Sequence, residues 1–426
     1  MRIEELYSLY LKHPSIQTDT RKLEEGDLFF SLKGPLYNGN LFAEDALSKG
    51  AAYALVDDET LIKNEKIILV EDVLSALQEL AYFHRKKFSI PVIGITGSNG
   101  KTTTKELVHA VLSTKYKTYT TEGNLNNHIG VPISLLKIRN DAEMAIIEMG
   151  ANHRGEIASY CRIASPTHGL ITNVGKAHLE GFGSEEGIKI SKGELFDHLR
   201  KNDGMVFIMN DYEYLQDMSN GIKNKFVYGS IEGELVGESS RSDPFLEIAF
   251  TKGLKTKIKT GLVGAYNLPN VLAAAAIGKY FNVPDEKIVA ALGGYIPSNS
   301  RSQLLHKGSN TIILDAYNAN PSSMKTAIEN FALSKEKNKI LMLGAMAEMG
   351  AYSLVEHKNL VNLIKAFQWK HVILVGGDFL KIDHPFETAT SAEEAGEWIK
   401  KLNLKNACIL VKGSRSTAME KVLGYL

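Results

Sequence analysis

The segment covering residues 92–114 constrains the fold of this 426-residue chain more than any other. A β-branched run at Val92–Thr96 precedes a short loop with glycine at positions 97 and 100, and a helix is predicted over 101–114. Small residues at such a turn let backbone N–H groups close around phosphate oxygens at the helix start. The segment therefore predicts an α/β sheet that holds a nucleotide phosphate at the end of one strand.

The side chains at the start of this helix indicate how phosphate would be held. Lys101 supplies a positive charge for the β- and γ-phosphates, and Thr102 supplies a hydroxyl for Mg²⁺. The usual G-x-x-x-x-G-K-[ST] spacing requires glycine at position 95, but the chain has Ile95 and reads G-x-x-G-K-T from Gly97. A glycine turn before a capped helix is the simpler alternative, which a lysine followed by three threonines disfavours. The predicted phosphate-binding residues are Gly97, Ser98, Asn99, Gly100, Lys101, Thr102 and Thr103.

Composition and charge restrict the other classes of partner. Lys plus Arg and Asp plus Glu both number 49, so the net charge is zero and gives no reason to expect binding to nucleic acid or membrane surfaces. The two cysteines exclude a disulfide framework and a cysteine zinc site, and they fit a reducing compartment. The acidic N-terminus does not resemble a signal peptide, and no apolar run approaches the ~18 residues of a membrane span. We expect a soluble, cytoplasmic protein without membrane insertion.

The strand and helix patterns divide into three α/β units. Short β-like runs with intervening helices reach to about residue 88. From residue 91, apolar strands alternate with helices, as in parallel βαβ units, followed by predicted edge hairpins at 225–262 and an Ala-rich helix at 268–280. A second doubly wound unit begins near Arg301. At about 150 residues per domain, the length also indicates roughly three domains.

Two polar residues follow predicted strands of the central unit and are candidates for metal binding. Glu148 ends the strand at 144–147, and a carboxylate at the carboxyl end of a parallel strand points into the crevice where α/β folds bind ligands. Mg²⁺ prefers such hard oxygen ligands. His178 follows another strand, although a lone histidine is more often structural. Lys192 lies in a predicted helix, where an exposed lysine is the simplest interpretation from the residues alone.

Taken together, these segments resemble the Mur ligase family over essentially the whole chain. The short T-G-x-x-G-K-T-T loop is similar to the loop of that family, which also includes folylpolyglutamate synthetases. The other specific segments are residues 121–132 (TEGNLNNHIGVP), 148–150 (EMG), 173–182 (NVGKAHLEGF), 315–321 (DAYNANP) and 412–415 (KGSR).

The resemblance implies three domains and a reaction. The domains are a UDP-sugar-binding N-terminal domain at 1–88, a central P-loop ATPase-like domain with a parallel sheet at 89–299, and a Rossmann-like C-terminal domain at 300–426 that closes over the site. The implied enzyme is an ADP-forming ligase with ATP and Mg²⁺ as cofactors. It would join D-alanyl-D-alanine to a UDP-N-acetylmuramoyl-tripeptide through an acyl phosphate, in peptidoglycan synthesis and hence in cell shape and division. We expect a monomer whose partners are these small molecules.

The resemblance also implies roles for individual residues. The catalytic set is Lys101, His178, Lys192 and Arg301. The metal set is Thr102, Glu148, His178 and Lys192, where CO₂ would convert the lysine amine into a carbamate with oxygen ligands. Further contacts to ATP would come from Asn267, Asn270, Arg301 and Asp315. The substrate-binding set is Thr20, Arg21, Lys33, Asn126, Asn127, Asn318, Asn320, Lys412, Ser414 and Arg415.

Some positions depart from the family pattern, and several functions stay open. Tyr266 stands where many members have histidine, Ala345 where they commonly have aspartate, and Ser300 where they have glycine. Another ligase of the superfamily, such as the one that adds the third peptide residue, or a folylpolyglutamate synthetase would share the ATP site. A P-loop kinase and a non-catalytic nucleotide-binding regulator are more distant alternatives. The segment 317–321 favours the ligase that adds D-alanyl-D-alanine, but the sequence leaves open whether the third residue of the substrate tripeptide is diaminopimelate or lysine.

Overall fold

The computed structural model describes residues 1–298 and 300–426, and it begins with a small α/β unit. A four-stranded parallel sheet in the order β1-β2-β5-β6 forms its centre, and β3 and β4 form a separate two-stranded ribbon. The elements are α1 (Ile3–Lys12), β1 (Ile16–Gln17), β2 (Leu28–Phe30), β3 (Lys33–Gly34), β4 (Tyr37–Asn38), α2 (Ala43–Ser48), β5 (Tyr53–Val56), β6 (Ile67–Leu69) and α3 (Val73–Arg85).

Helix α3 shows why the sequence forms this unit and attaches it to the next. The Asp72 side chain accepts a hydrogen bond from the Ser75 N–H at 2.7 Å, which satisfies one of the free donors at the helix start. Val73, Leu77 and Leu80 recur at helical spacing and are buried. This apolar stripe lies in the same core as residues of the central sheet, so the first unit packs directly on the second.

The central unit is built on a nine-stranded sheet in the order β15-β14-β13-β12-β11-β10-β7-β9-β8. The strands are β7 (Val92–Thr96), β8 (Thr118–Thr120), β9 (Met144–Glu148), β10 (His168–Ile171), β11 (Met205–Met209), β12 (Asn224–Gly229), β13 (Leu235–Arg241), β14 (Phe245–Lys252) and β15 (Lys257–Val263). The helices are α4 (Lys101–Leu112), α5 (Gly130–Leu136), α6 (Glu156–Ala164), α7 (Leu179–Phe182), α8 (Glu185–Lys201), α9 (Glu213–Met218), α10 (Leu268–Tyr280) and α11 (Asp285–Gly294).

The prediction of edge hairpins at 225–262 is only partly right. β12 pairs in parallel with β11, and β13 pairs in parallel with β12, so these two strands continue the main sheet. Only β14 and β15 are antiparallel additions. The short helix α9 provides the crossover that brings β12 back parallel to β11. The sequence pattern did not indicate this parallel pairing, because the strands are rich in polar residues.

The third unit is a six-stranded sheet in the order β16-β17-β21-β18-β19-β20. All pairs are parallel except the β16–β17 hairpin. The strands are β16 (Gln303–Lys307), β17 (Asn310–Asp315), β18 (Lys339–Gly344), β19 (His371–Val375), β20 (Glu387–Ala389) and β21 (Cys408–Lys412). The helices are α12 (Pro321–Leu333), α13 (Ser353–Lys365) and α14 (Ala392–Lys401). The α/β class with three sheet-containing units, predicted from the sequence, is confirmed.

Two domain boundaries were predicted, one after residue 88 and one after residue 299. The boundary between the second and third domains was placed after residue 299, which lies outside the described residues, and the boundary after residue 88 stays a prediction.

Within 1–298 and 300–426, none of the helices is both long enough and apolar enough to cross a membrane. Cys161 and Cys408 are both free and buried.

Candidate active site

The phosphate-loop segment folds as a strand, a tight turn and a helix. The turn between β7 and α4 depends on two glycines with positive φ, +142° at Gly97 and +79° at Gly100. A Cβ at position 97 would lie 2.0 Å from Oγ1 of Thr172, and one at position 100 would lie 2.5 Å from Oδ1 of Asn270. Both positions therefore require glycine for their backbone conformation and for the close approach of neighbouring segments.

Lys101 begins helix α4 and turns back over this loop. Its ammonium donates hydrogen bonds to the carbonyl oxygens of Gly97 at 2.7 Å and Ser98 at 3.2 Å. Burial lowers the pKa of Lys101, while the charge of Glu148 opposes that shift. The two carbonyl oxygens place the amine nitrogen of Lys101 inside the loop, where its cationic form would neutralise a bound phosphate.

Glu148 is the last residue of β9 and is fully buried. One of its oxygens, Oε1, accepts from Oγ1 of Thr102 at 3.1 Å and from Nδ2 of Asn126 at 2.7 Å. The other oxygen, Oε2, is buried without a hydrogen-bond partner among the described residues. An unpaired carboxylate oxygen beside a threonine hydroxyl is a donor set that fits Mg²⁺, so Thr102 and Glu148 fit the predicted ion. The part of the chain that the structure describes contains no group of three His, Cys, Asp or Glu side chains with metal-binding geometry.

His178 lies at the start of α7 in the left-handed region, with φ of +53°. Its Nδ1 contacts the carboxylate of Glu348, which belongs to the third unit. The contact with His178 lowers the pKa of Glu348. Sequence reasoning missed Glu348 as a partner because only the folded arrangement brings the loop after β18 to this histidine.

Lys192 is not the exposed lysine that its helical context suggested. It is 1% exposed in α8, with Nζ 3.3 Å from the carbonyl oxygen of Ala151 and 5.0 Å from the ring centre of Phe182. Burial, and after it the positive charge of Lys101, lowers the pKa of Lys192 to about 7. A large fraction of this amine is therefore neutral near pH 7, which is the form that reacts with CO₂.

The two asparagines predicted to contact ATP, Asn267 and Asn270, form a buried network beside the phosphate loop. Nδ2 of Asn270 donates to Oδ1 of Asn267 at 3.0 Å, and Nδ2 of Asn267 donates to the carbonyl oxygen of Val263 at 2.9 Å. Oγ1 of Thr104, in α4, donates to Oδ1 of Asn270 at 3.0 Å. These bonds fix α10 against the phosphate-loop helix. Next to them, the hydroxyl of Tyr266 lies 2.8 Å from Oγ of Ser302, so this departure from the family pattern joins the central and third units.

Arg301 and Asp315 lie at the junction between the central and third units. The guanidinium carbon of Arg301 is 3.6 Å from the ring centre of Tyr317, and its Nε is buried without a hydrogen-bond partner among the described residues. Arg415 is farther from the same ring, at 5.9 Å. Asp315 accepts from Nζ of Lys412 at 2.6 Å, which leaves this buried lysine paired with a carboxylate.

The remaining polar residues predicted in the third unit support its loops. Asn320 caps α12 by accepting from the Ser323 N–H, and its Nδ2 donates to Oδ1 of Asn99 in the phosphate loop at 2.8 Å. The carbonyl oxygen of Asn318 accepts from Lys412 at 3.2 Å. Oγ of Ser414 donates to the carbonyl oxygen of Ala345 at 2.6 Å, so position 345 contributes its backbone to this contact.

A cleft of about 1110 Å³ between the central and third units brings most of the predicted site residues together. Among these, the lining includes Ser98, Asn99, Gly100, Lys101, Thr102, Thr103, Asn126, Asn127, Glu148, His178, Asn267, Asn270, Arg301, Asp315, Asn318, Asn320 and Lys412. The predicted residues that are not among its described lining residues are Thr20, Arg21, Lys33, Gly97, Lys192, Ser414 and Arg415. Arg21 pairs with Asp19 at 2.8 Å, and Lys33 pairs with Asp57 at 2.7 Å.

The cleft also contains residues that sequence reasoning missed. His128, Tyr160, Asp211, Tyr212 and Tyr214 all line it. Asp211 and Tyr212 lie two and three residues beyond the end of β11, so the rule that ligands bind beyond the carboxyl ends of parallel strands was a usable signal for them. Tyr160 lies within α6, and only tertiary packing turns it toward the cleft.

Comparison with known proteins assigns the family. Three family models match, described as Mur ligase family, catalytic domain at residues 14–91, Mur ligase middle domain at 95–278, and Mur ligase, glutamate ligase domain at 300–415. The UDP-N-acetylmuramoyl-tripeptide–D-alanyl-D-alanine ligase of Bacillus subtilis is 36% identical, over 96% of this chain and 92% of that protein.

Solved structures agree with the sequence comparison. A crystal structure of MurF from Acinetobacter baumannii has a TM-score of 0.88 and 29% identity, covering 96% of this chain and 92% of that one. MurF from Thermotoga maritima in complex with ADP has a TM-score of 0.86 and 28% identity, covering 97% of both chains. The predicted resemblance is confirmed, and the chain belongs to the Mur ligase family, among the UDP-N-acetylmuramoyl-tripeptide–D-alanyl-D-alanine ligases.

Proposed function

We propose that the protein joins D-alanyl-D-alanine to a UDP-N-acetylmuramoyl-tripeptide at the expense of ATP, releasing ADP and phosphate. The observation that carries the proposal is the buried Oε2 of Glu148, which has no hydrogen-bond partner among the described residues and lies beside the phosphate loop in a cleft between two domains. A buried charge without a partner is costly, and it is expected where a ligand will supply the missing partner. The names of the relatives supply the substrates.

The reaction needs activation because a carboxylate is a poor electrophile toward an amine. A carboxylate oxygen of the tripeptide attacks the γ-phosphorus of ATP, and ADP leaves. The neutral amine of D-alanyl-D-alanine then attacks the acyl carbon of the resulting acyl phosphate. Phosphate leaves with the bonding pair, and the nitrogen loses a proton to give the amide. Lys101 and Arg301 would spread the negative charge that develops on the transferred phosphoryl group, so the protein acts mainly by positioning and charge neutralisation.

Thr102 and Glu148 would hold Mg²⁺, which neutralises phosphate charge and orients the phosphate chain when bound. His178 and Lys192 complete the proposed ligand set. For Lys192, the nitrogen of the neutral amine would bond to the carbon of CO₂ with loss of a proton, which converts the amine into a carbamate anion. The buried position of Lys192 and its pKa of about 7 support this step, because they keep the amine neutral and reactive.

The remaining assignments follow from family membership and from position. Asn267, Asn270 and Asp315 would contribute to the ATP site, and Thr20, Arg21 and Lys33 would bind the uridine nucleotide. The other proposed substrate ligands are Asn126, Asn127, Asn318, Asn320, Lys412, Ser414 and Arg415. Domain boundaries near residues 88 and 299 would allow the domains to move relative to one another, and closure of the third domain would exclude water from the acyl phosphate. We further propose that the protein acts as a monomer in the cytoplasm, in cell-wall synthesis.

The deciding experiment is phosphate release measured with each substrate omitted in turn. The proposal expects release to require ATP, the UDP-tripeptide and D-alanyl-D-alanine together. A ligase for another amino acid would release phosphate with that amino acid instead, and a kinase would not respond to D-alanyl-D-alanine. ATP hydrolysis that ignores both other substrates would contradict the proposed function.

A further inference from the structure

The segment after β10 connects the phosphate loop to the third domain. Ser98, in the phosphate loop, exchanges two hydrogen bonds with Gly175: its Oγ donates to the Gly175 carbonyl oxygen at 2.8 Å and accepts from the Gly175 N–H at 3.0 Å. The following residue, Lys176, contacts the third domain instead. A single pair of neighbouring residues therefore contacts both the nucleotide loop and the domain that covers it.

Lys176 makes two contacts across the domain junction. Its backbone N–H donates to Oγ of Ser322 in α12 at 2.9 Å, and its Nζ donates to Oε1 of Glu356 in α13 at 2.9 Å. The Glu356 side chain is only 11% exposed, whereas that of Lys176 is 39% exposed. A mostly buried carboxylate depends on its partner, because removing the lysine would leave a charge with little access to water.

Lys176 also has an alternative partner in its own domain. Oε1 of Glu185, at the start of α8, lies 3.5 Å from Nζ of Lys176 and belongs to a side chain that is 68% exposed. If the third domain moved away, Lys176 would keep this exposed carboxylate, while Glu356 would lose the only salt bridge it makes among the described residues. Moving the third domain away from the central one therefore leaves an unpaired, mostly buried carboxylate in the third domain, which makes that movement unfavourable.

We propose that Lys176 is a positioning residue that holds the third domain closed over the phosphate loop through Glu356 and Ser322. The proposal rests on the proposed function in one respect, because closure of the third domain is taken to serve amide formation. Lys176 contacts neither nucleotide nor substrate in this role. It acts by keeping Arg301 and Asp315, which belong to the third domain, next to the central domain's phosphate loop.

The test combines charge reversal with a distance measurement. Dyes on cysteines introduced at the exposed positions Lys223 and Lys405 report the distance between the central and third domains. Both native cysteines are buried, so the dyes are expected to attach to the introduced ones. The variants are Lys176→Met, Glu356→Gln, Lys176→Glu and the double swap Lys176→Glu with Glu356→Lys. Lys421→Met is the matched control, because Lys421 pairs with Glu393 at 2.7 Å within the third domain.

The single variants are expected to lower the closed population and kcat/KM for D-alanyl-D-alanine by roughly threefold to tenfold, as for other coupled charge pairs. The double swap should recover both readouts, and the Lys421 control should match the parent protein. Unchanged interdomain distance in the single variants, or a double swap no better than Lys176→Glu, would overturn the proposal. The distance is measured without turnover, so a ligase assay that fails in the parent protein counts against the proposed function and not against this contact.

Discussion

The side-chain amide of Asn126, in the loop after β8, donates at 2.7 Å to Oε1 of Glu148, the last residue of β9. Thr102 donates to the same oxygen at 3.1 Å. Because both donors occupy Oε1, they orient the carboxylate and leave Oε2 as its open oxygen. The loop that carries the predicted substrate ligands Asn126 and Asn127 therefore also fixes the side chain proposed to bind Mg²⁺.

This relationship predicts a metal-binding defect when Asn126 is replaced. Asn126→Ala removes the donor that orients Glu148, and we expect Mn²⁺, used as a spectroscopic substitute for Mg²⁺, to bind about 10-fold more weakly, in the range for outer-shell partners. Electron paramagnetic resonance of free Mn²⁺ measures the affinity without turnover. Lys117→Ala, an exposed change elsewhere in the domain, is the control. Equal Mn²⁺ affinity in Asn126→Ala and the parent protein would show that the hydrogen bond does not orient the ligand.

Lys101 is predicted to be indispensable for turnover. Its ammonium is held by two loop carbonyl oxygens, and a neutral alanine would leave the phosphate charge without its nearest cation. We expect Lys101→Ala to abolish phosphate release at saturating substrates while the far-ultraviolet circular dichroism spectrum stays unchanged. A folded Lys101→Ala protein with parental activity would remove the phosphate loop from the mechanism.

Lys192 is predicted to make activity depend on CO₂. At pH 8 the amine is mostly neutral, because burial lowers its pKa to about 7, and the carbamate can then form. Activity should fall in CO₂-free buffer and return with bicarbonate. Lys192→Ala should be largely inactive and partly rescued by short carboxylic acids, whereas Lys201→Ala, an exposed change at the end of the same helix, should behave like the parent. Full activity of Lys192→Ala would exclude the carbamate.

The parts of the fold that were predictable are those that local chemistry determines. The start of α4 follows from Gly100, and the bounds of α10 were predicted as the structure has them because Pro269 is followed by an apolar, Ala-rich run from Val271 to Ile277. The parallel pairing of β12 and β13 was not predictable from pattern, because half-buried, polar strands look alike in parallel and antiparallel sheets.

The site was predictable as a set of residues but not as a set of contacts. Lys192 is surrounded in sequence by charged residues, and its burial arises only when Ala151 and Phe182 are packed onto α8. The pairing of His178 with Glu348 needs the third domain to lie beside the central one. The contact of Ala151 with Lys192 joins residues 41 positions apart, and the contact of His178 with Glu348 joins different domains, so sequence spacing carries no geometric information about either.

Ser300 is predicted to lower the free energy of unfolding of the third domain because of its backbone conformation. Its φ of +55° lies in the left-handed region, which is unfavourable for a residue with a Cβ by roughly 1–2 kcal/mol. Ser300→Gly should therefore raise the free energy of unfolding of the third domain by up to about 1 kcal/mol after the entropy of glycine is subtracted. Ser334→Gly is the matched control and should destabilise, because Ser334 has φ of −62°. Urea unfolding followed by tryptophan fluorescence measures both, and a stability loss in Ser300→Gly would contradict the prediction.

His168 is predicted to make the central domain sensitive to acid. It begins β10 among the rings of Phe207, Tyr280 and Phe281, and burial lowers its pKa to about 4. A histidine in the unfolded chain has a pKa near about 6.5, so between those values the unfolded state binds more protons and stability falls as pH falls. His168→Phe keeps an aromatic ring without the titration. When the pH is lowered from 7.5 to 5, the free energy of unfolding measured with urea should fall by on the order of 1–2 kcal/mol more in the parent protein than in this variant. Equal decreases in the two proteins would show that His168 is not the cause of the acid sensitivity.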